Sequence, residues 1–316
     1  MTTIAPEVGN SELRALLKYV DKRRHRKNRI MKWLVVTAFV LAMLPLLSVS
    51  WTVVSYGIER FNVYFLTHSM RGVYGGMDAG GVYHAIVGTI EITLFAALIS
   101  VPVGLLTAIY LVEYGRGKLA RAVTFFVDVM TGIPSIVAGL FAYALFAVIL
   151  GPGVRMGAVG SVALSVLMIP VVVRSSEEML RLVPNELREA ALALGAPRWI
   201  VVIKVVLRTA IAGIVTGVMI AVGRVIGETA PLLITVGVID SINFNLFDGR
   251  MMTLPVYVYG QFQQGLVPCT EGQANCIATV AYDRAWAGAL TLILIVMLLN
   301  LVARLVTRFF APKNLG

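Results

Sequence analysis

Apolar residues in this chain gather into long, nearly unbroken runs, unlike the alternation of a half-buried strand or the narrow stripe of a soluble helix. A helix crossing the roughly 30 Å of bilayer hydrocarbon needs about 20 such residues, each rising about 1.5 Å. Six stretches meet that need, at residues 33–56, 86–112, 122–150, 157–173, 205–238 and 285–305. The pattern predicts an all-α integral membrane protein with about six transmembrane helices. The fifth run is too long for one simple span. Within it lie Gly227, Glu228, Thr229, Ala230 and Pro231, where proline removes a backbone donor and should kink or interrupt the helix. Some thirty residues precede the first run, which is longer than a signal core of about 7 to 15 residues, so it is expected to be retained.

Composition supports this class: 58% of the 316 residues are hydrophobic and 14% are charged, too little charge for a soluble domain of this length. The net charge of +10 changes the picture through its placement. Nine Lys and Arg residues precede the first span, three lie at 116–121, six at 174–208 and three in the C-terminal end. These 21 alternate with five on the other side: Arg60, Arg71, Arg155, Arg250 and Arg284. Cytoplasmic loops carry the basic excess, so both termini are expected in the cytoplasm. The basic run 22–29 then reads as a topology anchor for anionic lipid, not as a nucleic-acid arm. The divisions that follow are a tail at 1–32, a first span with its external loop at 33–84, a core at 85–310 and a short tail at 311–316. Cys269 and Cys276 fall in the long external loop, where either a disulfide or two free thiols fits the spacing. His68 and His84 are distant from them in sequence, and no metal site is expected.

Within the loop 177–204, on the basic side, residues 184–199 read as a short helix. Asn185 offers a cap, Glu186 and Glu189 suit the positive N-terminal end, alanines and leucines fill the middle, and Gly195 with Pro197 ends it. Its Ala and Leu face would stand in water unless it docks on something.

Glu189, Ala190, Ala191 and, after three residues, Gly195 resemble the EAA loop of bacterial ABC-importer permeases. That family pattern continues Ile, any residue, Leu, Pro, where this chain has Val205, Val206, Leu207 and Arg208. The resemblance extends over about 82–308. Residues 132–140, Gly-Ile-Pro-Ser-Ile-Val-Ala-Gly-Leu, and 227–233, Gly-Glu-Thr-Ala-Pro-Leu-Leu, are similar to segments of the phosphate permeases, the second to their PstA-type subunits. It implies a type I importer architecture, a second related permease, a homodimeric ATPase docked on the EAA helix and an external phosphate-binding protein. Permeases for sulfate or molybdate share the EAA loop and usually differ at the second segment. A secondary anion transporter is the alternative from another class, and the EAA loop argues against it. The one Gly-Lys pair, Gly117 and Lys118, is followed by Leu119 and has Val112 where a phosphate loop needs glycine. ATP and its Mg are therefore expected on a partner, with no cofactor in this chain.

Charges within a span cost about 2.5 to 3.5 kcal/mol on insertion scales and need a reason. Glu91, Asp128, Arg174, Arg224 and Glu228 are the candidates. Arg224 and Glu228, four apart, would share a face of a continuous helix, as a salt bridge or as part of an anion path. Arg174 stands at the cytoplasmic end of the fourth span, so the two arginines could meet an anion at different depths; an interface anchor is the other reading of Arg174. Glu91 and Asp128 have no assigned role. The topology is open to a direct check: cysteine introduced at Asn314 should react with an impermeant thiol reagent only after the cells are permeabilised.

Overall fold

The computed structural model describes residues 22–269 and 276–310; residues 1–21 of the basic tail and the tail 311–316 lie outside the described residues. The chain divides into two compact units, 1–52 and 53–316. The first carries most of helix α1 (Lys22–Arg60). Trp33, Leu34, Phe39, Leu46, Leu47 and Val49 occupy every face of it, as expected of a helix that lies in lipid without a single core-facing stripe.

The second unit continues with α2 (Val63–Thr67) and α3 (Tyr83–Ile109), the latter prolonged by a π-helical turn, Tyr110–Tyr114. Next come α4 (Gly117–Thr131), α5 (Ser135–Leu150), α6 (Gly157–Arg181) and α7 (Asn185–Ala193). A helical turn, Arg198–Ile200, and a π-helical stretch, Val201–Val206, lead into α8 (Leu207–Val225). The short α9 (Ala230–Thr235), α10 (Leu254–Gln264) and α11 (Val280–Phe310) complete it. Among the described residues, five helical stretches are long and apolar enough to span a bilayer, and the α4–α5 pair makes a sixth if counted as one bent span.

That pair corrects the reading of 122–150 as one helix, since α4 and α5 meet at 109°. Pro134 has no N–H and biases Ile133 away from helical backbone, so α4 ends at Thr131 and α5 restarts with Pro134 as its N-cap. The run 205–238 is likewise two helices, α8 and α9, separated at residues 226–229.

The most extensive packing is that of α3 on α6. On α3 the buried stripe runs His84, Gly88, Ile92, Ala96, Ser100, Gly104, Ala108, one residue in every four. Small side chains in that stripe bring the two backbones close, which is how helices associate in lipid. A Cβ on Gly104 would lie 2.7 Å from Val172 Cγ1. Ser161 Oγ donates to the Ile92 carbonyl at 3.0 Å and Ser165 Oγ to the Ala96 carbonyl at 3.3 Å, so the buried hydroxyls are satisfied across the contact. Around this pair, α8 packs on α6 and α11, α10 on α11, and α5 on both α6 and α9.

At the end of the bundle where α3 begins, two arginines hold the segment that leads into it. Arg60 donates to Asp78 Oδ1 at 2.8 Å and to the Ala79 carbonyl at 3.0 Å. Arg284, 1% exposed, donates to the Met77 carbonyl at 2.6 Å and again to Ala79. A disulfide joins Cys269 to Cys276, with Cα atoms 5.8 Å apart, and Ile277 N donates to the Gly76 carbonyl at 2.8 Å. Arg60 and Arg284, counted above only as external charges, thus act as donors to a loop backbone. The α3–α6 contact yields a stability expectation: Gly104→Leu should destabilise the purified protein by about 1–3 kcal/mol through overpacking, lowering its thermal unfolding midpoint, whereas Leu106→Ala on the exposed face should leave it nearly unchanged.

Candidate functional site

Two groups of residues carry the candidate chemistry, an exposed helix at one end of the bundle and a set of charges at and beside the broken spans. The exposed helix is α7. Pro184 is its N-cap residue, with no side-chain cap bond, which corrects the capping role expected of Asn185: its Oδ1 instead accepts from Arg188 Nη1 at 3.3 Å. At the other end Gly195 N donates to the Leu192 carbonyl at 2.9 Å and Ala196 N to the Ala191 carbonyl at 3.2 Å. This is a Schellman cap, which needs a left-handed residue, and Gly195 supplies φ +80°.

Glu186, Leu187, Glu189 and Ala190 are exposed, while Arg188 and Ala191 turn inward. Ala191 and Ala196 pack on a cluster of Ala108, Leu180, Val183, Val201 and Val206. Leu194 and Trp199 stand 89% and 60% exposed, so α7 and the turn after it present an apolar and acidic face with nothing over it.

Arg188 adds hydrogen bonds to that packing. Its Nε and Nη2 both donate to Glu113 Oε1, at 3.1 and 2.9 Å. Nη2 also reaches the Leu180 carbonyl at 2.8 Å, and Nη1 the Val183 carbonyl at 2.5 Å. One guanidinium therefore ties the π-helical turn after α3 to α7 and to the Leu180 and Val183 carbonyls at and just past the end of α6. Neither Arg188 nor Glu113 stood out in the sequence. They are 75 positions apart, and no local pattern joins them.

Among the charges near the breaks, Arg224 lies in the last turn of α8, exposed, and Glu228 follows the helix end, half-buried. No ion pair joins them among the described residues. The i, i+4 expectation required a continuous helix, but α8 stops at Val225 and Glu228 N closes a tight turn onto the Val225 carbonyl at 3.1 Å. Arg174 has partners the sequence left open: Nη2 donates to Asp128 of α4, and Nη1 to Glu177 Oε2 at 2.8 Å. Glu177 in turn accepts from Arg181 at 2.6 Å. Neither Arg224 nor Glu228 joins that set. Glu91, on α3, keeps one buried carboxylate oxygen without a hydrogen-bond partner.

The two segments singled out near Pro134 and Pro231 meet in space. A Cβ on Gly139 of α5 would lie 2.7 Å from Pro231 Cα of α9. Glycine at 139 is thus what lets α5 lie directly on the short helix beyond the break in 205–238, next to Glu228.

Broken apolar spans with ionisable groups beside the breaks, together with an exposed helix tied to the bundle, define a polytopic membrane transport protein. The chain belongs to the family of binding-protein-dependent transport system inner membrane components, whose match spans residues 100–315. It is 45% identical over 295 residues to phosphate transport system permease protein PstA 1 of Mycobacterium tuberculosis strain H37Rv, covering 92% of this chain and 91% of that protein. It is 37% identical to PstA of Pasteurella multocida strain Pm70, covering 92% and 97%. In fold it resembles a chain of the MetNI methionine ABC transporter in an inward-facing conformation, with TM-score 0.52 and 24% identity, covering 73% of this chain and 95% of that one.

The tie at Arg188 predicts local loosening on its loss. Arg188→Gln should raise the rate of limited proteolysis within residues 185–198 by about thirtyfold, the equivalent of about 2 kcal/mol for lost charge-assisted bonds. Arg198→Gln, on the exposed side of the same loop, should leave that rate unchanged.

Proposed function

We propose that this chain is a permease subunit of an ATP-driven phosphate importer in a bacterial cytoplasmic membrane, with both termini inside. The observation that carries this reading is the 45% identity to PstA 1 over nearly the whole of both chains. The fold supports it through an apolar bundle in which the helices that follow the breaks at 132–134 and 226–229, α5 and α9, pack on one another, and irregular backbone is tolerated where it faces protein or a cavity.

In this reading a second related permease completes the path, and a homodimeric ATPase binds ATP and Mg. An extracytoplasmic phosphate-binding protein delivers the anion. Helix α7 is the coupling element: Glu186, Glu189 and Ala190 form the face seated on the ATPase and Gly195 its cap, while Ala191, expected on that face, turns inward and packs on the bundle instead. Its lack of cover over Leu194 and Trp199 supports a partner there, and the Arg188–Glu113 tie gives the ATPase a lever on α3. Arg224, Glu228 and Arg174 belong to the substrate path, since guanidinium groups match phosphate oxygens and remain charged in low dielectric.

The test is uptake by the complete transporter in vesicles with ATP on the face carrying α7. Phosphate should enter in preference to sulfate and molybdate, and Glu189→Lys should reduce uptake at least about tenfold by placing like charge or an unpaired charge in the docking contact. Preference for sulfate or molybdate would overturn the substrate. Uptake independent of ATP would overturn the class.

A further inference from the structure

Arg174 sits inside a short chain of alternating charge, Asp128, Arg174, Glu177, Arg181, and its two carboxylate partners are held very differently. Glu177 is 7% exposed and bound by two arginines of its own helix, Arg174 at 2.8 Å and Arg181 at 2.6 Å. Asp128 is 60% exposed and comes from α4, and Arg174 is its one hydrogen-bond partner among the described residues. Helix α4 itself is lightly anchored, with Val127 its one buried side chain, and it ends at the sharp bend before α5. Arg174 is about one-third exposed at 33%, so the guanidinium edge that Asp128 occupies is open to a competing ligand, whereas the edge on Glu177 is not.

Ionised, the four residues sum to zero charge. Withdrawal of Asp128 leaves one net positive charge and a free Nη2 edge aimed where a carboxylate oxygen had been. A guanidinium donates to a phosphate oxygen in the same planar geometry as to a carboxylate oxygen. We propose that Asp128 is a tethered counter-anion for Arg174: it holds the guanidinium while the path is empty and gives way to a tetrahedral oxyanion in passage. The proposal rests on the reading of the chain as a phosphate permease. Its physical purpose is release. A transport site must bind strongly enough to admit the ion and weakly enough to let it leave, and a competing carboxylate on a lightly anchored helix weakens binding without removing the arginine.

The test is equilibrium binding of radiolabelled orthophosphate to the complete transporter in lipid nanodiscs, without the binding protein. Asp128→Asn, and Asp128→Ser in case the amide keeps the bond to Arg174, should bind phosphate about tenfold more tightly, the scale of one charge-assisted hydrogen bond withdrawn from competition. Asp128→Glu should restore the ordinary affinity. The gain should vanish when Arg174→Gln is added. Unchanged or weaker binding of both phosphate and sulfate by both neutral variants, or a gain that survives in the double variant, would overturn the proposal. Labelled sulfate, run in parallel, separates the two levels: a gain for sulfate with none for phosphate upholds Asp128 as counter-anion and overturns phosphate as the substrate.

Discussion

Hydrocarbon gives helices no hydrophobic reason to leave lipid for one another, so in a bilayer the second unit of this chain must be held by close contact and by hydrogen bonds across helices. The α3–α6 pair meets that requirement, and the other helices pack around it. Ala96, Ser100 and Gly104 follow one another every fourth residue along one face, and at Gly104 the helices come close enough that a Cβ would lie 2.7 Å from Val172 Cγ1. Ser161 and Ser165 then reach carbonyls that larger neighbours would have held away. Placement of α8, α10 and α11 is secondary to this contact, because they pack on the pair or on each other.

Rigidity there is matched by discontinuity elsewhere. Two long apolar runs are broken beside a proline, and the fold packs the helices that follow the breaks by placing Gly139 on Pro231. Backbone polar groups freed at a break are costly in hydrocarbon unless protein or water meets them. Arg224 precedes one break and Glu228 lies within it, and Asp128 precedes the other by a turn. The charges expected to be most expensive in lipid thus cluster near the places where the helices are already interrupted.

Coupling between the exposed helix and the bundle joins the packing of Ala191 and Ala196 to the hydrogen bonds of one side chain, Arg188. Arg188 satisfies carbonyls at the end of α6 and pairs with Glu113 on the turn after α3, the two helices of the central contact. A displacement of α7 is therefore resisted by both at once, through bonds that orient as well as attract. The π-helical turns on either side of this region, Tyr110–Tyr114 and Val201–Val206, mark where helices deviate from ideal winding to reach it.

The sequence by itself determined the membrane class, because twenty apolar residues in a row are a local property that no tertiary contact can disguise. It determined the exposed helix at 185–193 and its glycine stop for the same reason: helix propensity, capping and a left-handed cap act over one or two turns. Tertiary structure alone decided the partners of the charges. Arg188 and Glu113 are 75 positions apart and Arg174 and Asp128 are 46 apart, and nothing in either neighbourhood selects the other. It also separated Arg224 from Glu228, which spacing had joined, since a helix that ends at Val225 carries no i+4 face beyond it. The bend at 132–134 lies between these cases: Pro134 announced a kink, but whether the chain continued across or turned through 109° was set by the contact of α5 with α9, whose residues the chain supplies almost a hundred positions later.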